Sequence, residues 1–259
     1  MPAHLLDPVP LSVLALITVV LVFVALELGF RAGQWRRDRS GAEHDGTLGG
    51  VVAATLGLLA FLLAFTFDMA AKRFEERQKV LLEEVNSLDD AFLRADLMEE
   101  PHRSAIRDTL QKYVAVRIEE AKTRKLTQDI ERPEEMQREM WNHAAALGRA
   151  EPSSEMKGLF VESINGVIET YTKRLDLARH RIPVTIWLAL YLMTVAAMAS
   201  VGYQSGVSGP RRSPSILALA LTFCVAIALI ADLDRPLQGL LTVSQQAMVD
   251  LQHKMVTSP

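Results

Sequence analysis

Four stretches of this chain carry no charged residue and are apolar almost throughout: Leu11 to Leu26, Leu48 to Phe67, Ile182 to Ser208 and Ser215 to Ala231. A helix rises about 1.5 Å per residue, so about 17–25 apolar residues cross the hydrocarbon layer of a bilayer. The four runs are of that order, the fourth at the short end and needing little tilt. Inside lipid the backbone finds no water, so each run must satisfy its amides within itself and is expected to be a helix. The first run has no basic leader and no small-residue cleavage site after it, which points to a retained helix rather than a cleaved signal peptide.

The charges divide the same way. Of 28 basic and 31 acidic residues, 20 and 22 fall between positions 72 and 181, so a charged middle is framed by apolar ends. The balance, a formal charge of −3 over 259 residues, excludes a strongly basic nucleic-acid binder. Cys224 is the single cysteine, which excludes an internal disulfide framework and a multi-cysteine metal site. The expected organisation is membrane helices 1 and 2 in 1–70, an extra-membrane bundle in 71–181, membrane helices 3 and 4 in 182–235, and an amphipathic helix in 236–259.

The middle reads as helices. Phe74, Leu81, Val85, Leu88 and Phe92 follow helical spacing, and no breaker separates them from the second apolar run, so that helix should continue out of the bilayer. Pro101 and Pro133 each suit the first turn of a further helix. Met156, Phe160, Ile164, Val167, Tyr171 and Leu175 mark a fourth, leading into the third run with Pro183 as a kink or junction. No segment alternates with a period of two. The fold class is therefore all-α: a four-helix transmembrane region with an antiparallel helical bundle inserted between membrane helices 2 and 3. Past the fourth run, Asp234-Arg235-Pro236 suits an N-cap and a helix start. Leu237, Leu241, Met248, Leu251 and Met255 give that helix an apolar stripe, fit for the membrane surface or the bundle.

Orientation divides the charge evidence. Arg31, Arg36, Arg37 and Arg39 in one short loop, with Arg211 and Arg212 in the other, put those loops in the cytoplasm by the positive-inside rule. Yet Lys72, Arg73, Arg77 and Lys79, and Lys173, Arg174, Arg179 and Arg181, place basic residues at both edges of the middle segment.

Nothing here assembles a nucleophile and base, a phosphate loop or a metal set. The six histidines are scattered and none has the helical spacing of zinc ligands, so neither enzyme activity nor a cofactor is expected. Carboxylate pairs such as Glu83/Glu84, Asp89/Asp90 and Glu134/Glu135 read as solvated helix faces. Two features remain. Gly49, Ala53, Gly57, Phe61 and Phe65 are each four residues from the last. The first three suit a helix-packing seam, since small residues let backbones approach. Phe61 and Phe65 either fill the space beyond that seam or narrow a pore, because apolar constrictions gate by expelling water. The second feature is the acids at membrane edges, Glu27, Asp68, Asp232 and Asp234. Asp68 has Lys72 one turn on, and Asp234 has its capping role. Glu27 and Asp232 show no local partner, which leaves them as the functional candidates.

The segment Ala231-Asp232-Leu233-Asp234-Arg235-Pro236-Leu237-Gln238-Gly239, with Val243-Ser244, resembles the bestrophin-like domain family of bacterial membrane proteins. So do Ala64-Phe65-Thr66-Phe67, Glu83-Glu84-Val85-Asn86 and Leu93-Arg94-Ala95-Asp96-Leu97, and the likeness runs from about Gly49 to Ser244. Bestrophins are pentameric anion channels with four membrane helices, an elongated cytosolic helical region and a pore-lining second membrane helix. The resemblance implies an apolar neck at Phe61 and Phe65, a cytosolic bundle and a multi-pass protein of the bacterial inner membrane. Asp232 and Asp234 are too few to match the calcium-binding cluster of animal bestrophins. The expected partners are lipid, further copies of the chain, and ions if it conducts. The alternative function is a non-conducting membrane protein whose bundle binds a partner or senses the envelope.

Overall fold

The computed structural model describes residues 10–40, 47–123, 131–209, 214–235 and 239–257. Among them are eight helices and no strand: α1 (Leu11–Ser40), α2 (Thr47–Ala95), α3 (His102–Thr123), α4 (Glu131–Ala150), α5 (Glu155–Arg179), α6 (Val184–Ser208), α7 (Pro214–Asp234) and α8 (Gln246–Thr257). Four of them hold stretches long and apolar enough to cross a membrane, in α1, α2, α6 and α7. The chain divides into two compact units, one of residues 1–72 and 181–235 and the other of 73–180 and 236–259. The Arg211–Arg212 loop and the helix start expected at Pro236 lie outside the described residues.

In the first unit the tightest packing joins α1 to α6, and glycine makes it. Gly29 and Gly33 lie one turn apart on α1, as do Gly202 and Gly206 on α6. A Cβ at Gly29 would strike the Ala199 carbonyl oxygen, and one at Gly33 that of Tyr203. Reciprocally, Gly202 and Gly206 face the carbonyl oxygens of Leu26 and Phe30. Each helix thus seats its backbone in the gap left by the other, which replaces the hydrophobic drive that lipid does not supply. A polar tie crosses the apolar part of this seam, Thr18 Oγ1 to the Tyr191 hydroxyl at 2.8 Å. Hydrogen-bonded in this way, both groups avoid an unsatisfied burial. α1 also outlasts its apolar run, staying helical through Arg31, Arg36, Arg37 and Arg39.

α2 runs unbroken for 49 residues, as the missing breaker after Asp68 leads one to expect. Its last six turns join α3, α4, α5 and α8 in the second unit, around Leu88, Phe92, Ile106, Tyr113, Met140, Phe160 and Ile164. Ser154 caps α5, its Oγ accepting from the Lys157 N–H at 3.4 Å. Pro183 is a junction rather than a kink: α5 ends at Arg179, His180 is extended, and α6 starts at Val184. α8 belongs to this core. It buries Met248, Leu251 and Met255, Lys254 Nζ reaches both Asp89 oxygens at 2.7 Å, and Gln111 Nε2 donates to the Met255 carbonyl. Residues 239–245, expected to lie within that helix, are not helical, and among the described residues it begins at Gln246.

Candidate functional site

α2 is two-faced where it is apolar. Val52, Leu59, Leu63, Thr66 and Ala70 are buried, whereas Gly49, Ala53, Gly57, Phe61 and Phe65 are all exposed. Helical spacing of four keeps those five on one stripe, away from the buried face. Phe61 is 67% exposed and Phe65 55%, so neither fills a gap within the chain. A Cβ at Gly57 would meet nothing within 4 Å, and one at Gly49 only Gln204 Nε2 at 3.6 Å. The seam expected at Gly49, Ala53 and Gly57 is therefore not the close-packed seam of this chain, which lies between α1 and α6. The stripe is a free face of glycine, alanine and phenylalanine, with small side chains at one end and aromatic rings at the other.

Two of the membrane-edge acids form ion pairs one turn along their own helix, and the other two lie at the end of α7. Glu27 Oε1 accepts from Arg31 Nε at 2.8 Å, so the local partner that seemed missing is one turn on along α1. Asp68 pairs with Lys72 at 2.8 Å, the i,i+4 contact the spacing allows. Asp232 is buried near the end of α7. Asp234, expected to cap the following helix, is instead the last residue of α7. Its Oδ1 accepts from the Ile182 N–H at 2.9 Å and its carbonyl from Arg181 Nη1 at 3.0 Å. The physical reason is position: the backbone just before α6 has an N–H to satisfy, and Asp234 is the acceptor beside it. What looked like a start signal is a clasp between the two ends of the α6–α7 pair.

A second cluster lies in the core of the bundle unit, and the sequence reading missed it. Glu84 is 0% exposed, not a solvated face. Its Oε1 accepts from Arg117 Nε at 2.9 Å, and its Oε2 from Arg174 Nη1. Arg117 also pairs with Glu120, and its guanidinium lies over the Tyr171 ring, 5.1 Å from the centroid. Beside it Gln137 Nε2 donates to the Tyr113 hydroxyl at 3.0 Å. Two carboxylates and two guanidiniums thus balance where α2, α3 and α5 meet. Burial alone would raise the Glu84 carboxyl, but the Arg174 and Arg117 charges outweigh it and hold it below its ordinary value. Glu120 is shifted the other way, up, by burial that its arginine neighbours only partly offset. Burial pushes the Tyr171 hydroxyl up to about 12. The readable signal was periodicity: Glu84 sits three residues after Leu81 and four before Leu88, on the buried stripe.

Set against known proteins, the chain matches a family model described as the bestrophin-like domain over residues 14–248. It is also similar to crystal structures of a bacterial bestrophin homolog from Klebsiella pneumoniae. One mutant form aligns with 16% identity and a TM-score of 0.64, covering 94% of this chain and 98% of that one. A second mutant form gives 14% identity and a TM-score of 0.67 over 99% and 98%. The form phased on zinc gives 15% and 0.63 over 93% and 96%. No curated protein matches the chain.

Proposed function

The chain belongs to the bestrophin-like domain family, and from that premise we propose that it is an oligomeric ion channel whose path is lined by the exposed stripe of α2. It is an all-helical, multi-pass protein of the bacterial inner membrane with four candidate membrane helices. The observation that carries the proposal is the stripe itself. A chain that buries the opposite face of α2 leaves Gly49, Ala53, Gly57, Phe61 and Phe65 for something outside itself. With copies arranged around an axis, the glycine and alanine end lets neighbouring α2 helices approach, and Phe61 and Phe65 form stacked apolar rings. Water between such rings is disfavoured, so they act as a neck that conducts only when it widens or wets. In this reading the charged segment inserted between membrane helices 2 and 3, formed by α2 beyond the bilayer, α3, α4 and α5, stands outside the membrane with the C-terminal α8. The segregation of charge into positions 72–181 supports that placement.

The test is the double variant Phe61→Ala with Phe65→Ala, reconstituted in liposomes. Both rings are exposed in the single chain, so truncation leaves no internal cavity and the folded chain should melt as the wild type does. A wider, more easily wetted constriction should raise ion flux several-fold. A stable double variant as tight to ions as an empty liposome would count against the neck, and a non-conducting role would replace it.

A further inference from the structure

We propose that His102 and His143 form a proton-sensing latch between α3 and α4, closed while a single proton lies between their Nδ1 atoms and released when each nitrogen carries its own. The two Nδ1 atoms are 3.0 Å apart, from residues 41 positions distant in sequence. The ring centroids are 5.3 Å apart with planes at 75°, so the centroid separation exceeds the N···N distance by about two ring radii and the nitrogens meet head-on. That is the geometry of an N–H···N hydrogen bond, which needs one donor and one lone pair. A shared metal would need both lone pairs aimed at a third point off that line. Among the described residues no third His, Cys, Asp or Glu completes a set.

The count of protons decides the state. Two neutral rings satisfy the bond through one Nδ1–H, and one added proton still leaves a lone pair on the partner. A second added proton makes both nitrogens donors and sets two positive rings face to face. The pair is half-buried, so water screens that repulsion incompletely. Because the closed contact has room for one proton between its two nitrogens and separated rings can carry one each, acidification favours release. Glu99, Glu100 and Arg103 lie within a turn of His102, with Arg103 Nε held on the Met98 carbonyl. Glu139 is one turn from His143 on α4. From α5, Lys157 is held by Glu151, and from α8, Lys254 is held by Asp89. Asp250 and the exposed His253 complete the ionisable groups of α8.

Thermal melting of the full chain in detergent, from pH 7.5 to 5.0, tests the latch without reference to conduction. Wild type should lose about 2–4 °C more over that range than either His102→Gln or His143→Gln. His253→Gln should keep the wild-type slope. Each variant is compared with itself across pH, so one that melts lower throughout still reports, and carboxylate steps common to all cancel. Hydrogen exchange, corrected for its intrinsic pH dependence, should show the facing turns of α3 and α4 opening at pH 5 in wild type alone. Parallel slopes in wild type and both latch variants, or exchange at those turns that does not distinguish them, overturns the proposal.

Discussion

Glu84 shows how much one residue can hold. Its carboxylate touches two guanidiniums from residues 33 and 90 positions away in sequence, and its side chain is fully buried. Glu84→Gln keeps the shape but leaves Arg117 and Arg174 with Glu120 alone, and an uncompensated buried charge typically costs about 3–5 kcal/mol. Melting in detergent should therefore drop sharply for Glu84→Gln, while its neighbour Glu83→Gln, on the solvent side, stays near wild type. The pH dependence has a definite sign. The Glu84 carboxyl is held below its ordinary value, so its contribution is present above about pH 4 and is lost as pH falls through the lower folded value. Glu120, shifted up, works oppositely: protonating it in the folded chain relieves a buried charge in mildly acid solution. An acid melting series should show wild type losing stability below about pH 4 with a step that Glu84→Gln lacks. The same residue explains a limit of sequence reading. Position 84 lies three residues after Leu81 and four before Leu88, but beside Glu83 it reads as half of a solvated pair, and only the distant arginines decide between the two.

At the scale of elements, helix type and extent were largely legible because they follow from local rules: apolar length, spacing of three and four, and proline at the ends. Which helices touch was not. Gly49 to Gly57, Gly29 to Gly33 and Gly202 to Gly206 all offer small residues one or more turns apart, and a spacing on one helix does not name its partner. The structure pairs the last two with each other and leaves the first unpartnered within the chain. The capping role expected of Asp234 went wrong for a related reason, since its carboxylate is spent on the Ile182 N–H of a distant segment. The contrast makes a paired prediction. Gly202→Leu drives a Cβ into the Leu26 carbonyl, which no side-chain rearrangement relieves, and should cost at least the ~1–3 kcal/mol of overpacking. It should show as low yield and early melting. Gly57→Leu meets nothing within 4 Å, so the chain should insert and fold normally, and leucine is favourable in lipid. Its effect should appear only in size-exclusion profiles, as a shift towards smaller assemblies. Normal assembly by Gly57→Leu would mean that the stripe does not face another copy.

For the whole molecule, the question is what lies against α2 in the membrane. The helices of a single chain are too apolar to enclose an aqueous path, so conduction requires several copies, and the candidate axis is the stripe of α2. The sequence supplies a clean way to ask. Cys224 is the only cysteine, and Cys224→Ala gives a background in which any thiol is one deliberately placed. Phe61→Cys then sits where facing copies would converge, whereas Leu192→Cys, 70% exposed on α6, serves as a reporter for an apolar surface elsewhere in the same unit. Disulfides form only when Cα atoms approach to about 4.4–6.8 Å, so mild oxidation in native membranes reads proximity rather than mere exposure. Around a narrow axis, Phe61→Cys should yield disulfide-linked dimers on a denaturing gel and Leu192→Cys should remain monomeric. Each thiol pairs with one partner at most, so a dimer band is the expected product even from a larger ring. Should Leu192→Cys cross-link and Phe61→Cys stay monomeric, the stripe faces lipid, the neck assignment fails, and the exposed phenylalanines are ordinary membrane surface.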